Sequence, residues 1–289
     1  MSYDLYFYKK KDKKVDKIEI ERYLKRQKNI ISDNEDQFYY QNDATAVYFS
    51  FDYNHPNTEE ILFDEIDESF EDTNFSFNIN FMRPQFFGKE AFPFVSDFVD
   101  FFDLYILNPQ GDCIPQKYKD NEILKDWEIS NLKISKSYYK ELNLNYLSEK
   151  NSNYIWEYCL QKDDLQKKLG EEYFVPNIFY LKLNKSSEVK TICIWTEGMP
   201  FVLPKTDYVS ISKRFKKFFI TKEEVGVVAY KTIIEKFGQS FQDESLYKIL
   251  HPEKSEEILK DFNNLKLETT IKKLGEGISV DKFVNIKDE

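Results

Sequence analysis

Residues 59–72 read EEILFDEIDESFED, eight carboxylates in fourteen positions, just ahead of the alternating FSFNINF of 75–81. Three arrangements use acids at this density. A calcium loop is one, but DEIDESFED lacks the glycine and the alternating ligand spacing of an EF-hand. A solvated amphipathic helix is the second: Leu62, Ile66 and Phe70 recur at every fourth position and would face a core, with the acids in water. Like charges four apart cost such a helix about 0.2–0.5 kcal/mol each. The third is an electrostatic docking face for a basic protein, which speeds encounter and sets specificity. On that reading Asp64, Glu65, Asp67, Glu68, Glu71 and Asp72 are the partner-binding side chains.

A second group lies in NFMRPQFFGKEAFPF (80–94). Arg83 and Glu90 flank a helix start there, and Gln110 and Asp112 follow at the end of the next strand. Together they would form either a small polar pocket or an ion pair that fixes the helix on its sheet. Trp195, Glu197, Pro204 and Asp207 read as core and turn residues of a second sheet.

Of the two histidines, His55 in YNHPN fits a turn and His251 in ILHPEK fits a helix end. No CxxC, HExxH, glycine-rich phosphate loop or GxSxG is present, and eight glycines supply little backbone for a phosphate cradle. No catalytic residue, cofactor site or metal ligand is therefore assigned. The alternative, a hydrolase that reverses a modification, would draw its acid and base from Glu90, Asp112 or Asp207. A regulatory scaffold is a further alternative. KRFKKFF (213–219) interleaves cations with phenylalanine, as nucleic-acid and anionic-membrane surfaces do. A strand edge guarded by lysines gives the same pattern.

The chain of 289 residues has room for two cores. With 17% aromatic residues it is far from a disordered composition. The opening MSYDLYFYKKK has no basic leader followed by an apolar run, and no apolar stretch reaches the roughly 20 residues of a membrane span. Three widely spaced cysteines, Cys113, Cys159 and Cys193, fit a reducing cytoplasm better than a disulfide framework. The net charge of −10 is unevenly spread: residues 1–111 hold 12 Lys and Arg against 22 Asp and Glu, and the rest is balanced. Phosphate backbones need positive surface, so nucleic acid is excluded as the partner of that half, and no membrane partner is expected.

The elements that must position these groups read as α+β. In the first part YDLYFYK, QFYYQ, TAVYFSFDY, FSFNINFM and LYILN are strands. Helices fall at 15–27, with Ile18, Ile20, Tyr23 and Leu24 on one face, and at 86–102, where Pro93 must sit near the first turn or bend the helix. That β-α-β-β-β-α-β order predicts a ferredoxin-like antiparallel sheet with helices on one face and one extra strand, over 1–111. Residues 112–172 read as a helical connector of three helices, the last stopped by Gly170. Residues 173–289 form a second, smaller α+β sheet domain. It ends in a helix capped by Thr221 with Glu224 and a tail of short helices and loops from 252.

In order, MSYDLYFYK, TAVYFSFDY, FNINFMRPQFFGKEAFPFV, DLYILNPQ, FVPNIFYLKL and IWTEGMPFVLPKTDYV resemble bacterial cytoplasmic immunity proteins encoded beside polymorphic or type VI secreted toxins. The likeness covers most of the chain outside the connector and tail, and its words are framework words. It implies a protein that binds a cognate secreted toxin, basic in its contact region, and blocks its active site or assembly. It transfers no binding residue, because toxin-contacting surfaces in such groups vary.

Overall fold

The computed structural model describes residues 1–289 apart from 33, 35, 57–65, 120, 185, 218–219 and 287–289, with backbone alone at 215–217 and 220–222. The chain forms two compact units, Met1–Tyr138 and Tyr139–Glu289.

The first unit contains β1 (Ser2–Lys10), α1 (Lys17–Leu24), β2 (Ile30–Ile31), β3 (Gln37–Asn42), β4 (Val47–Tyr53) and β5 (Phe70–Asn80). It continues through α2 (Phe86–Phe102), β6 (Tyr105–Leu107) and α3 (Glu122–Tyr138). The strands lie in the order β2-β3-β4-β5-β1-β6 and every pairing is antiparallel. Strands β5 and β6 flank β1, with α2 crossing between them. This is the split βαβ arrangement of the ferredoxin-like order, with β3 and the short β2 added outside β4. The α+β class is as expected.

Alternation builds this sheet. Tyr3, Leu5 and Phe7 of β1, Phe49 and Phe51 of β4, and Phe75, Phe77 and Ile79 of β5 are all buried. Their rings meet the helices: Phe7 lies 4.8 Å from Phe98 and Phe77 lies 5.6 Å from Phe92. An edge contact such as that of Phe7 with Phe98 contributes about 0.5–1.5 kcal/mol beyond burial alone. Asp16 and Glu19 form a capping box at the start of α1. The core face of α1 is Ile20 and Leu24, whereas Ile18 is 63% exposed. Two residues before Ile20 is 200° around a helix, so the two isoleucines cannot share a face.

Residues 122–138, expected as parts of two connector helices, are the single helix α3 and belong to the first unit. Its stripe of Ile123, Trp127, Asn131 and Ser135 recurs every fourth residue and is buried. Trp127 packs over Gly88 of α2, where an added Cβ would stand 2.5 Å from the indole. The separate connector of 112–172 is thus divided, because its two long helices each bury a stripe in a different unit.

The second unit contains β7 (Asn145–Tyr146), α4 (Glu149–Leu169), β8 (Phe179–Leu183), β9 (Val189–Thr196), β10 (Phe201–Pro204), β11 (Tyr208–Lys217) and β12 (Ile220–Ala229). Then come α5 (Tyr230–Phe237), β13 (Gln242–Asp243), β14 (Tyr247–Leu250), α6 (Pro252–Asn263), α7 (Ile271–Leu274), β15 (Gly275–Ile278) and β16 (Phe283–Val284). One sheet has the order β12-β11-β9-β8-β15, with β9 and β11 parallel. A second has the order β10-β14-β13, and β7 pairs with β16. Trp195 centres the core, stacked on Phe201 at 5.3 Å and touching Phe262 at 4.7 Å. Gly170 ends α4 at φ +88°, as its position implied.

Three expectations fail in this unit. Thr221 caps no helix: 220–229 is strand, and α5 starts at Tyr230 with Ala229 at its N-cap. Val225, Val227 and Val228 are β-branched, and the long hairpin with β11 gives that stretch its partner. The tail also supplies strands β15 and β16, which a glycine-rich or short segment does not announce. Gly275 is needed in β15 because a Cβ there would collide with the Lys182 carbonyl. Finally, KRFKKFF does not begin on a solvated guard lysine, although among the described residues β11 pairs with β9 only as far as Ser212 and from Lys213 to Lys217 with β12 alone. Lys213 is buried, donating to the carbonyls of Asn263 at 3.1 Å and Leu265 at 2.7 Å and pairing with Glu224 at 3.1 Å. A cation there answers the carbonyl end of α6.

Candidate functional site

A cleft of about 580 Å³ lies in the first unit between α2, β6 and the start of α3. Helix α2 runs through Pro93, which lies inside it rather than in its first turn. Proline has no N–H to donate back to the Lys89 carbonyl, so one rung of the helix is missing at the cleft wall. Phe92, Val99, Ile106 and Ile123 supply apolar wall, and Lys89, Asp97, Asp100 and Lys119 bring charge of both signs.

At one rim, Tyr118 accepts from Gln116 Nε2 at 3.0 Å, and burial raises its hydroxyl above the ordinary tyrosine value. Near it Asn108 donates to the Tyr3 hydroxyl at 2.9 Å. Asp126 on α3 is also raised, first by burial and then by the carboxylate of Glu122. An apolar trough with mixed charge suits binding of a side chain or small segment.

The expected polar pocket of Arg83, Glu90, Gln110 and Asp112 does not assemble. The Glu90 carboxylate accepts from Tyr40 at 2.8 Å, Asn42 at 2.7 Å and Thr45 at 3.0 Å. Arg83 turns to other partners, the Tyr48 hydroxyl at 2.7 Å and the carbonyls of Phe81 and Met82. Glu90 thus fastens α2 to the β3–β4 hairpin, and Arg83 fastens the loop before α2 to β4. Asp112 is exposed. Gln110 donates its backbone N–H to Asn108. Asp207 accepts from both the N–H and the hydroxyl of Thr191 at 2.9 Å and lies 3.5 Å from Lys190, which holds the start of β11 to β9.

The acidic segment is also rearranged. Asp64 and Glu65, with Leu62, lie outside the described residues. The described part is not helical: Ile66 and Asp67 precede a turn, and Phe70, Glu71 and Asp72 open β5. Cross-strand pairing with β1 decides this, for Lys9 meets Glu71 at 3.0 Å and Lys10 lies 3.5 Å over the Phe70 ring. Asp67 accepts from the Ser69 N–H at 2.7 Å, and the Ser69 hydroxyl and N–H lower its carboxyl. Asp72 is half-buried and raised by burial, although the Asn74 N–H and the Tyr8 hydroxyl oppose that shift. Asp67, Glu68 and Glu71 are exposed.

His55 lies 2.9 Å from Asp36, and His251 occupies the N-cap of α6 between Tyr173 and Gln242. Among the described residues no three His, Cys, Asp or Glu are grouped to hold a metal ion, and no helix is long and apolar enough to cross a membrane. None of the three cysteines is in a disulfide. The cleft residues were not singled out from the sequence; the signal available was Pro93 inside a strongly apolar helix pattern. Comparison of the chain with protein-family models, curated proteins and solved structures gives no match.

Proposed function

We propose that the protein is an immunity-type binding protein that acts in the cytoplasm, neutralising a cognate antibacterial toxin by stoichiometric binding and occlusion. The observation that carries the reading is charge segregation: the whole net negative charge falls in residues 1–111, and Asp67, Glu68 and Glu71 stand exposed where the acidic segment enters β5. A field of one sign accelerates encounter with a basic partner. Support against turnover comes from Glu90 and Asp207, two of the three carboxylates a hydrolase would draw on; the third, Asp112, is exposed. Glu90 and Asp207 are each engaged by donors from neighbouring strands or loops in a fastening role.

The test is protection of toxin-producing cells by the wild type and by a variant with Asp64, Glu65, Asp67 and Glu68 changed to Asn or Gln. Glu71 and Asp72 are left intact because they seat β5 on β1, through Lys9 and the Tyr8 hydroxyl respectively. Reduced protection supports the acidic contact. Full protection with unchanged affinity removes it. Protection by far fewer molecules than the toxin present would favour the hydrolase instead.

A further inference from the structure

Ten of the twelve Lys and Arg residues in 1–111 fall between positions 9 and 28. Several are neutralised locally: Lys9 by Glu71, Lys13 by Asp103, Lys17 by Asp36 and Glu21, and Lys25 by Glu21. Lys14, Arg22 and Arg26 are exposed and form no ion pair among the described residues. All three line one groove of about 520 Å³ between α1 and the end of α2.

The floor of that groove is aromatic. The Tyr23 ring lies 4.6 Å from Phe101 and 5.3 Å from Phe102, and the two phenylalanines are 4.8 Å apart. Phe101 is 67% exposed, the most exposed of the large hydrophobic side chains in the described residues. Glu19 is the one acid on the wall, and its carboxylate already accepts from the Asp16 N–H in the capping box. The groove is therefore a local positive patch with a bare stacking surface, on a unit whose overall charge is negative.

We propose that this groove is a docking site for an acidic peptide segment that carries an aromatic side chain. Arg22 lies in the last turn of α1 and Arg26 in the turn that follows it, and both line the groove. Each guanidinium offers a planar fork that matches a carboxylate with two hydrogen bonds. An aromatic anchor between two acids would stack on Tyr23 and Phe101 while its flanking carboxylates meet the arginines. A nucleic acid has bases to stack, but its longer backbone would carry phosphates beyond the groove onto the surface of a unit that is negative overall. A short acidic segment ends before it reaches that surface. The inference does not rest on the toxin reading, which concerns the acidic face.

The experiment uses the full chain and fluorescence anisotropy of a labelled peptide, Asp-Glu-Phe-Asp-Glu, at low and physiological salt. Controls are the same peptide with Ser for Phe and a labelled twelve-nucleotide oligothymidylate. Saturable binding of the first peptide is expected, weakened about tenfold by the double variant Arg22→Gln/Arg26→Gln, by Phe101→Ser, or by loss of the peptide's Phe. All three positions are exposed and glutamine is a good helix former, so circular dichroism should show unchanged folding. The absence of saturable binding, affinity unmoved by either variant, or tighter binding of the oligothymidylate would each overturn the proposal.

Discussion

The carboxamide of Asn131 meets both backbone polar groups of Arg83, donating to its carbonyl at 2.8 Å and accepting its N–H at 3.3 Å. This reciprocal pair ties the middle of α3 to the loop that launches α2, and the Arg83 side chain continues the tie to Tyr48 on β4. Helix, loop and sheet are joined through one residue. Asn131 is almost wholly buried, so removing its amide leaves polar backbone without a partner. Asn131→Ala should lower unfolding free energy by about 1–3 kcal/mol in urea melts. A change within experimental scatter would show that the pair is incidental.

The contact between α2 and α3 turns on Gly88 and Trp127. A methyl at Gly88 would meet two indole carbons and Leu124 at 2.5–2.9 Å. Gly88→Ala should destabilise by about 1–3 kcal/mol, despite the better helix propensity of alanine. Adding Trp127→Leu should recover part of the Gly88→Ala loss, so the double variant should be more stable than the two single effects summed. Strict additivity in thermal or urea unfolding would contradict this packing.

Asp103 sits between Lys117 and Lys13 at 2.9 and 2.7 Å. The hydrogen bonds from Lys117 and Lys13 lower its carboxyl from the ordinary 3.8 to about 2. A carboxyl lowered on folding adds stability that is present above pH 3.8 and lost as the pH falls toward 2. The group is exposed, so the contribution is small and the direct readout is its own titration by NMR. Replacing Lys117 with Ala should raise the midpoint, and an unchanged midpoint would remove Lys117 as its main cause.

The three cysteines should separate by reactivity. Cys113 is exposed, whereas Cys193 is fully buried in the Trp195 core and its thiol is pushed up to about 12 by burial. The thiolate is the reactive species. A disulfide-exchange reagent should therefore modify Cys113 quickly in native protein and reach Cys193 only after denaturation. Rapid modification of native Cys193 would contradict the packing around it.

Local pattern made much of the fold legible. Alternation at Phe75, Phe77 and Ile79 marks a half-buried strand whatever surrounds it, and Gly170 stops α4 through its own backbone freedom. Long-range partners decided the remainder. Phe70 matches a helical stripe with Ile66, yet Lys9 and Lys10 across β1 draw its neighbours into strand. Lys213 looks like surface until α6 brings its carbonyl end over it. The site was less legible for the same reason. Arg83 and Glu90 are seven residues apart in sequence, but their partners come from β3, β4 and the turn between them. The exposed Phe101 is unremarkable in sequence and acquires meaning only beside Tyr23, Arg22 and Arg26.

The central claim, neutralisation by binding, is tested most directly by co-expressing the protein with the product of the adjacent upstream gene and running size-exclusion chromatography at low and high salt. A stoichiometric complex that weakens as salt screens the acidic unit is the predicted result. Rescue of growth without any complex at either salt would contradict it.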